Sequence, residues 1–275
     1  MNNLITTNTV SVEDLALIQK SKKDLDEVSF LMRALNTVGT PIDSGLALLP
    51  ESYQSKVSAA VQKALQIAVK ANLRTLRTDK RSFPSSNLTY KLVTGISGAT
   101  GGFFGIAGFT TDLLISTKFM MRSIMDIARS QGEDVHEIST QLACLQVFAL
   151  GGTSEHDDEL DTSYYATRAA LHTAMNQTST YIAENGTKKI IETLASQTAA
   201  PIGKLINQIA AKFSVQVSEK FAVQAIPVIG AAAGASINIL FITHFQKMAT
   251  GHFTLIRLER KYSKKLIQET YNRLN

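Results

Sequence analysis

Apolar residues recur along this chain at three- and four-residue intervals and almost never in strict alternation, the pattern of helices that pack by one face. Ser11 opens the first helical stretch, with Glu13 and Asp14 placed at the positive end of its dipole, and the pattern continues to about Val38. Gly39, Pro41 and Pro50 punctuate a connector. From Tyr53 to about Leu76, Val57, Val61, Leu65, Ala68 and Leu73 share helical spacing, and the polar run Thr78 to Ser86 follows as a loop. A helical pattern covers residues 92–129, and Gln131 to Asp134 separate it from a helix that runs to Gly151 and Gly152. Beyond the acidic loop 153–161, the spacing predicts helices over 164–183, 187–198, 202–222, 226–245 and 250–271, with Asn185-Gly186 as a stop. The expectation is an all-α multi-helix bundle: a tail over 1–10, an N-terminal helical region over 11–80, and a helical core over 85–272, the last two forming one domain.

Two stretches depart from the amphipathic rule. Residues 92–111 contain no charged side chain, and Gly98, Gly101, Gly105 and Gly108 step by three, four and three, a stripe on which another helix can approach closely. The same stepping continues through Asp112, Ile115, Phe119, Arg122, Asp126 and Arg129, which would place two acids and two bases on the glycine face. Residues 221–246 likewise lack Lys, Arg, Asp and Glu; Pro227 suits a first turn, and Gly230, Gly234 and Asn238 make a second small stripe. These two Gly/Ala-rich helices are expected at the centre of the bundle. Each stretch is long enough to cross about 30 Å of hydrocarbon. The glycines, Pro227, Ser236 and Asn238 weaken the apolar drive, so buried core and membrane-embedded segment both stand as readings.

Composition narrows the class. An apolar fraction of 44% and a charged fraction of 19% suffice for a packed core and exclude global disorder. The net charge of +5 fits attraction to an anionic lipid surface. Basic residues are not interleaved with aromatics as nucleic-acid modules require, and no nucleic-acid partner is expected. Cys144, the only cysteine, sits in an apolar context and reads as a buried inert thiol. The N-terminus has no basic start followed by an apolar run, so a cytoplasmic location is expected, peripherally membrane-associated or membrane-inserted.

Few residues nominate chemistry. Asp112, Arg122, Asp126 and Arg129 form either an ion-pair cluster between helices or a polar ligand site. His252 and Glu259 lie two turns apart on one face, with His244 about 80° away around the helix; together they could hold a divalent metal, although the spacing is no known metalloprotease motif. The acidic loop lacks the register of a calcium site, and no nucleophile elbow or phosphate-binding loop is present. No cofactor is expected.

The run from Ile226 to Asn238, followed by His244-Phe245, His252-Phe253 and Arg257 to Tyr262, resembles the EcsC family. Two more blocks agree: Asp112 to Gly152, including Met121 to Arg129 and Leu145 to Gly152, and Tyr164-Tyr165-Ala-Thr-Arg168. The resemblance implies a bacterial protein in the context of membrane transport, with transporter components as possible partners, and adds Tyr165 and Arg168 to the candidate ligand-binding residues. It carries over no catalytic residue. The expected function is therefore a non-enzymatic helical protein at the cytoplasmic face of a membrane, binding lipid or supporting transport. The competing expectation is a metal-dependent hydrolase or small-molecule-binding protein using a buried Asp/Arg/His cluster.

Overall fold

The structure, a computed structural model, describes residues 9–26, 51–75, 105–151, 164–193, 200–225 and 227–274. Every regular element among them is helical: α1 (Val12–Leu25), α2 (Glu51–Thr75), α3 (Gly105–Ser130), α4 (Ile138–Gln146) with a 3-10 turn Val147–Ala149, α5 (Tyr164–Thr193), α6 (Ala200–Ala225), α7 (Pro227–Lys261) and α8 (Lys264–Arg273). The all-α bundle expected from the periodicity is what forms.

The spine is α7, whose 35 residues reach roughly 52 Å at 1.5 Å each. It packs against α1, α3, α6, α8 and the 3-10 turn. Cross-contacts give the directions. Asp112 meets Asn238 and Ser123 meets Gln246, so α3 runs parallel to α7. Asp14 meets Lys261 while Ser21 and Leu25 lie over Gly251, so α1 runs antiparallel to it. Phe109 meets Phe221 and Asp112 meets Lys220, so α6 runs antiparallel to α3. The centre is aromatic: Phe148 lies 5.0 Å from Phe213 and 5.4 Å from Phe245, and Phe241 lies 5.1 Å from Phe245. All four are buried, each contributing about 1.5–3 kcal/mol of apolar transfer.

Several boundaries differ from the sequence expectation. The first helix ends at Leu25, with Asp26 as its C-cap donating its N–H to the Lys22 carbonyl; the rest of the helical pattern read to about Val38 lies outside the described residues. Residues 131–137 form turns, and α4 starts only at Ile138. Gly132, at φ +87°, ends α3 where a side chain would strain, and Glu133 N–H closes back on the Ala128 carbonyl. The expected gap at 245–250 is absent. Gly251 continues the helix because α1 lies against it: a β-carbon there would sit 3.0 Å from Leu25 Cγ and 3.2 Å from the Ser21 carbonyl oxygen. The break comes instead at Tyr262–Ser263, where Ser263 caps α8 by accepting from Leu266 N–H. Asn185-Gly186 does interrupt its helix, Gly186 having φ 71° and ψ 153°. Gly98, Gly101 and the acidic loop 153–161 lie outside the described residues, as do the side chains of Gly230 and Gly234.

Candidate functional site

Two polar clusters are built into the bundle. The first joins α3, α6 and α7. Lys220, fully buried, places Nζ 2.7 Å from Asp112 Oδ2, and Asp112 itself is 2% exposed. Asn238 donates to the other carboxylate oxygen at 2.8 Å. The ammonium also lies 5.0 Å from the Phe241 ring and 5.9 Å from the Phe109 ring. The carboxylate and two aromatic faces replace the water that the buried cation lost. The pair sits where the uncharged stretches 92–111 and 221–246 enter the described bundle, next to the Phe109–Phe221 contact.

The second cluster joins α5 and α7. Arg168 grips Glu259 through both guanidinium nitrogens, Nη2 lying 2.9 Å from Oε2 and Nη1 on Oε1. Tyr165 donates to Glu259 Oε1 at 3.1 Å, and Arg168 donates to the Tyr164 hydroxyl at 3.1 Å. That hydroxyl lies 3.0 Å from His252 Nδ1. With its lone pair engaged by Arg168, the phenol is left to donate to a neutral imidazole. Burial holds His252 well below its ordinary pKa, and the Arg168 guanidinium adds to the effect. Burial raises both phenols, Tyr164 and Tyr165, far above neutrality. Tyr271 rests on both tyrosine rings and donates to Asp26, which ties α8 and the end of α1 to this cluster.

The candidates read from sequence fall into different places. Tyr165, Arg168, Glu259 and His252 come together. Asp112 lies in the other cluster, and Asp126 pairs with Arg129 at 3.4 Å. Arg122 is exposed, and Ile115 is 38% exposed, so the three-four stripe does not stay on the buried face of α3. Ten residues separate Asp112 from Arg122, which turns it about 80° around the helix. His244 packs beside Gly151 rather than with His252: a β-carbon at Gly151 would lie 2.8 Å from its Nε2. His252 and Glu259 are joined through Tyr164 and Arg168, and among the described residues no three His, Cys, Asp or Glu side chains gather as a metal site would require. Burial raises the Cys144 thiol away from the thiolate range, with the Glu133 charge adding to it.

Lys220 is the main residue that the sequence reading passed over. It stands on the apolar row Leu205, Ile209, Phe213, Val217 of α6, all buried, and a cation on such a row needs a buried anion. A further opening, about 20 Å³, lies between α2, α4, α5 and α6; it is lined by Val69, Ile138, Leu142, Leu145, Ile182, Ile202, Leu205 and Ile206 with Thr178 and Gln141. It admits little more than a water molecule.

The chain matches the EcsC protein family over residues 13–258. It belongs to that family. Comparison with curated proteins and with solved structures gave no match. The EcsC match encloses Asp112, Lys220 and Asn238, together with Tyr164, Arg168 and His252, and ends one residue before Glu259. Among the described residues, no helix is long and apolar enough to cross a membrane.

Proposed function

We propose that this EcsC-family chain is a non-enzymatic helical protein that works against the cytoplasmic face of a membrane, contacting lipid through its uncharged end and serving membrane transport. One observation carries the reading. The two longest charge-free stretches of the sequence are 92–111 and 221–246, and their described residues meet at one place, where Phe109 packs on Phe221 and Asp112 joins Lys220 and Asn238. The uncharged Gly/Ala-rich sequence is the part of the chain best suited to contact with lipid. The polar clusters favour a structural over a catalytic role. His252 is buried and neutral beside a fixed arginine, the phenols hold their protons, and Glu259 is fully engaged by Arg168 and Tyr165. None of these groups is poised as a general base near pH 7.

Fractionation of cells producing the chain tests this. It should pellet with membranes, remain there through a high-salt wash, and be released by detergent. Recovery in the supernatant after lysis at low salt would overturn the reading.

A further inference from the structure

The end of α7 and the start of α8 form a basic corner. Residues 257–273 carry six basic side chains (Arg257, Arg260, Lys261, Lys264, Lys265, Arg273) against two acidic ones (Glu259, Glu269), a net +4. The elbow at Tyr262–Ser263 brings the end of α7 and the start of α8 together there. Glu259 turns inward to Arg168, with a side chain only 10% exposed, so it neutralises little at the surface. The remaining nearby carboxylates are already committed: Glu133 to Arg260, Asp14 to Lys261 and Tyr262, Glu269 to Arg273. Arg257, Lys264 and Lys265 are exposed and carry no ion pair among the described residues.

Helix chemistry accounts for only part of this. Arg260 and Lys261 suit the negative end of the α7 dipole. Lys264 and Lys265 occupy the first turn of α8, where the dipole is positive and a cation is disfavoured. Their placement opposes local stability, whereas an anionic partner would be drawn to them. The neighbouring aromatics are taken: Tyr271 is buried on Tyr164 and Tyr165, and Tyr262 donates to Asp14. Among the described residues of the elbow no ring is fully exposed for nucleic-acid bases to stack on, the half-buried Tyr262 ring lying under the Lys261 ammonium, and a flat array of anionic headgroups needs none.

We propose that the α7–α8 elbow is an electrostatic docking surface for anionic phospholipid, centred on Arg257, Lys264 and Lys265. The proposal rests on the membrane reading above and adds a second contact to it. The uncharged segments meet at Asn238, 19 residues of α7 before Arg257, roughly 28 Å away by helix length. The two contacts are therefore separable: the elbow supplies the salt-sensitive part of binding, the uncharged end the salt-resistant part.

The test is co-sedimentation of the full chain with vesicles of phosphatidylglycerol and phosphatidylcholine at low and high salt, beside the triple variant Arg257→Gln, Lys264→Gln, Lys265→Gln. These side chains are exposed and hold no ion pair or hydrogen bond among the described residues, and an unchanged circular dichroism spectrum checks that the variant folds. At about fivefold per charge near an anionic surface, the variant should bind roughly 100-fold more weakly at low salt and match the parent at high salt. A variant with the parent's salt dependence overturns the elbow and leaves the membrane reading in place. Binding that salt abolishes entirely, and that the variant loses, supports the elbow but removes the uncharged-end contact. A parent that ignores the vesicles overturns both. If it then retains a DNA duplex in an elbow-dependent way, the partner is a nucleic acid and the lipid assignment is wrong.

Discussion

The two buried ion pairs solve one problem in opposite ways. Lys220–Asp112 is nearly dry, with side-chain exposures of 0% and 2%, and depends on one carboxylate, one amide and two rings. Arg168–Glu259 keeps 15% and 10% exposure and is tied into a chain of hydroxyls and an imidazole. A lysine is a point charge, so loss of its one anion leaves it unpaired. An arginine fork with several neighbours can lose one and keep others. The first pair is thus a brittle pin at the uncharged end, and the second a redundant clamp at the basic corner. Stability should concentrate in the pin, even though its surroundings carry no charge of their own.

The sharpest contrast comes from truncating each acid. Asp112→Ala should cost about 3–5 kcal/mol in urea unfolding, because it strands the Lys220 ammonium in an apolar site. Asp112→Leu combined with Lys220→Met should recover most of that loss, since a packed apolar pair replaces a buried charged one. If the double variant is no better than the single one, the pin is more than a compensated charge.

Between the clusters, Gly151 tests whether α7 tolerates any adjustment. It has φ +74°, and a β-carbon would meet Met248 Sδ at 2.7 Å and the His244 ring at 2.8 Å. Gly151→Ala should destabilise by about 2–4 kcal/mol, the sum of overpacking and a left-handed backbone. A melting temperature equal to the parent's would mean that the 3-10 turn can move away. In the clamp, Glu259→Gln should cost only about 1–3 kcal/mol, as Arg168 retains Tyr164 and some access to water. A loss matching that of Asp112→Ala would erase the distinction between the pairs.

The smallest effect is a pH dependence. His252 has a folded pKa depressed below its ordinary 6.5, so the unfolded chain binds a proton there that the folded chain refuses. Its contribution is fully present above pH 6.5 and is lost as pH falls below that value toward the folded pKa, at up to about 1.4 kcal/mol per pH unit. Urea midpoints at pH 7.5 and 5.5 should differ less in His252→Asn than in the parent. An equal difference in both proteins would assign the slope to other groups.

The periodicity made the helices legible, and chemistry made some of their ends legible: Ser11 caps α1 by accepting from Asp14 N–H, and Gly186 breaks α5. Partners were another matter. Asp112 stood out, but its cation lies 108 positions away on a row that reads as plain core, and nothing local announces that Lys220 points inward. The helices read over 226–245 and 250–271 are one, and it is the close approach of α1 that accounts for a glycine at 251 inside it. Arg122 does not share the buried face of Asp112, because a three-four stepping count drifts around a helix over ten residues. Tyr165 and Arg168 entered through the family resemblance, and their clamp on Glu259 supplies the physical reason for them.

The central claim, lipid contact by the uncharged end, is open to one direct measurement. Ser236 is exposed on α7 near that end, and Asn272 is exposed on α8 at the other. Because Cys144 is buried with a raised pKa, a cysteine introduced at either site can be labelled selectively with an environment-sensitive fluorophore. With anionic vesicles containing nitroxide-labelled lipid, at a salt concentration that screens the basic corner, the Ser236→Cys label should shift to the blue and be quenched, while the Asn272→Cys label stays unchanged. An unresponsive label at 236, or quenching at 272 alone, would contradict the account.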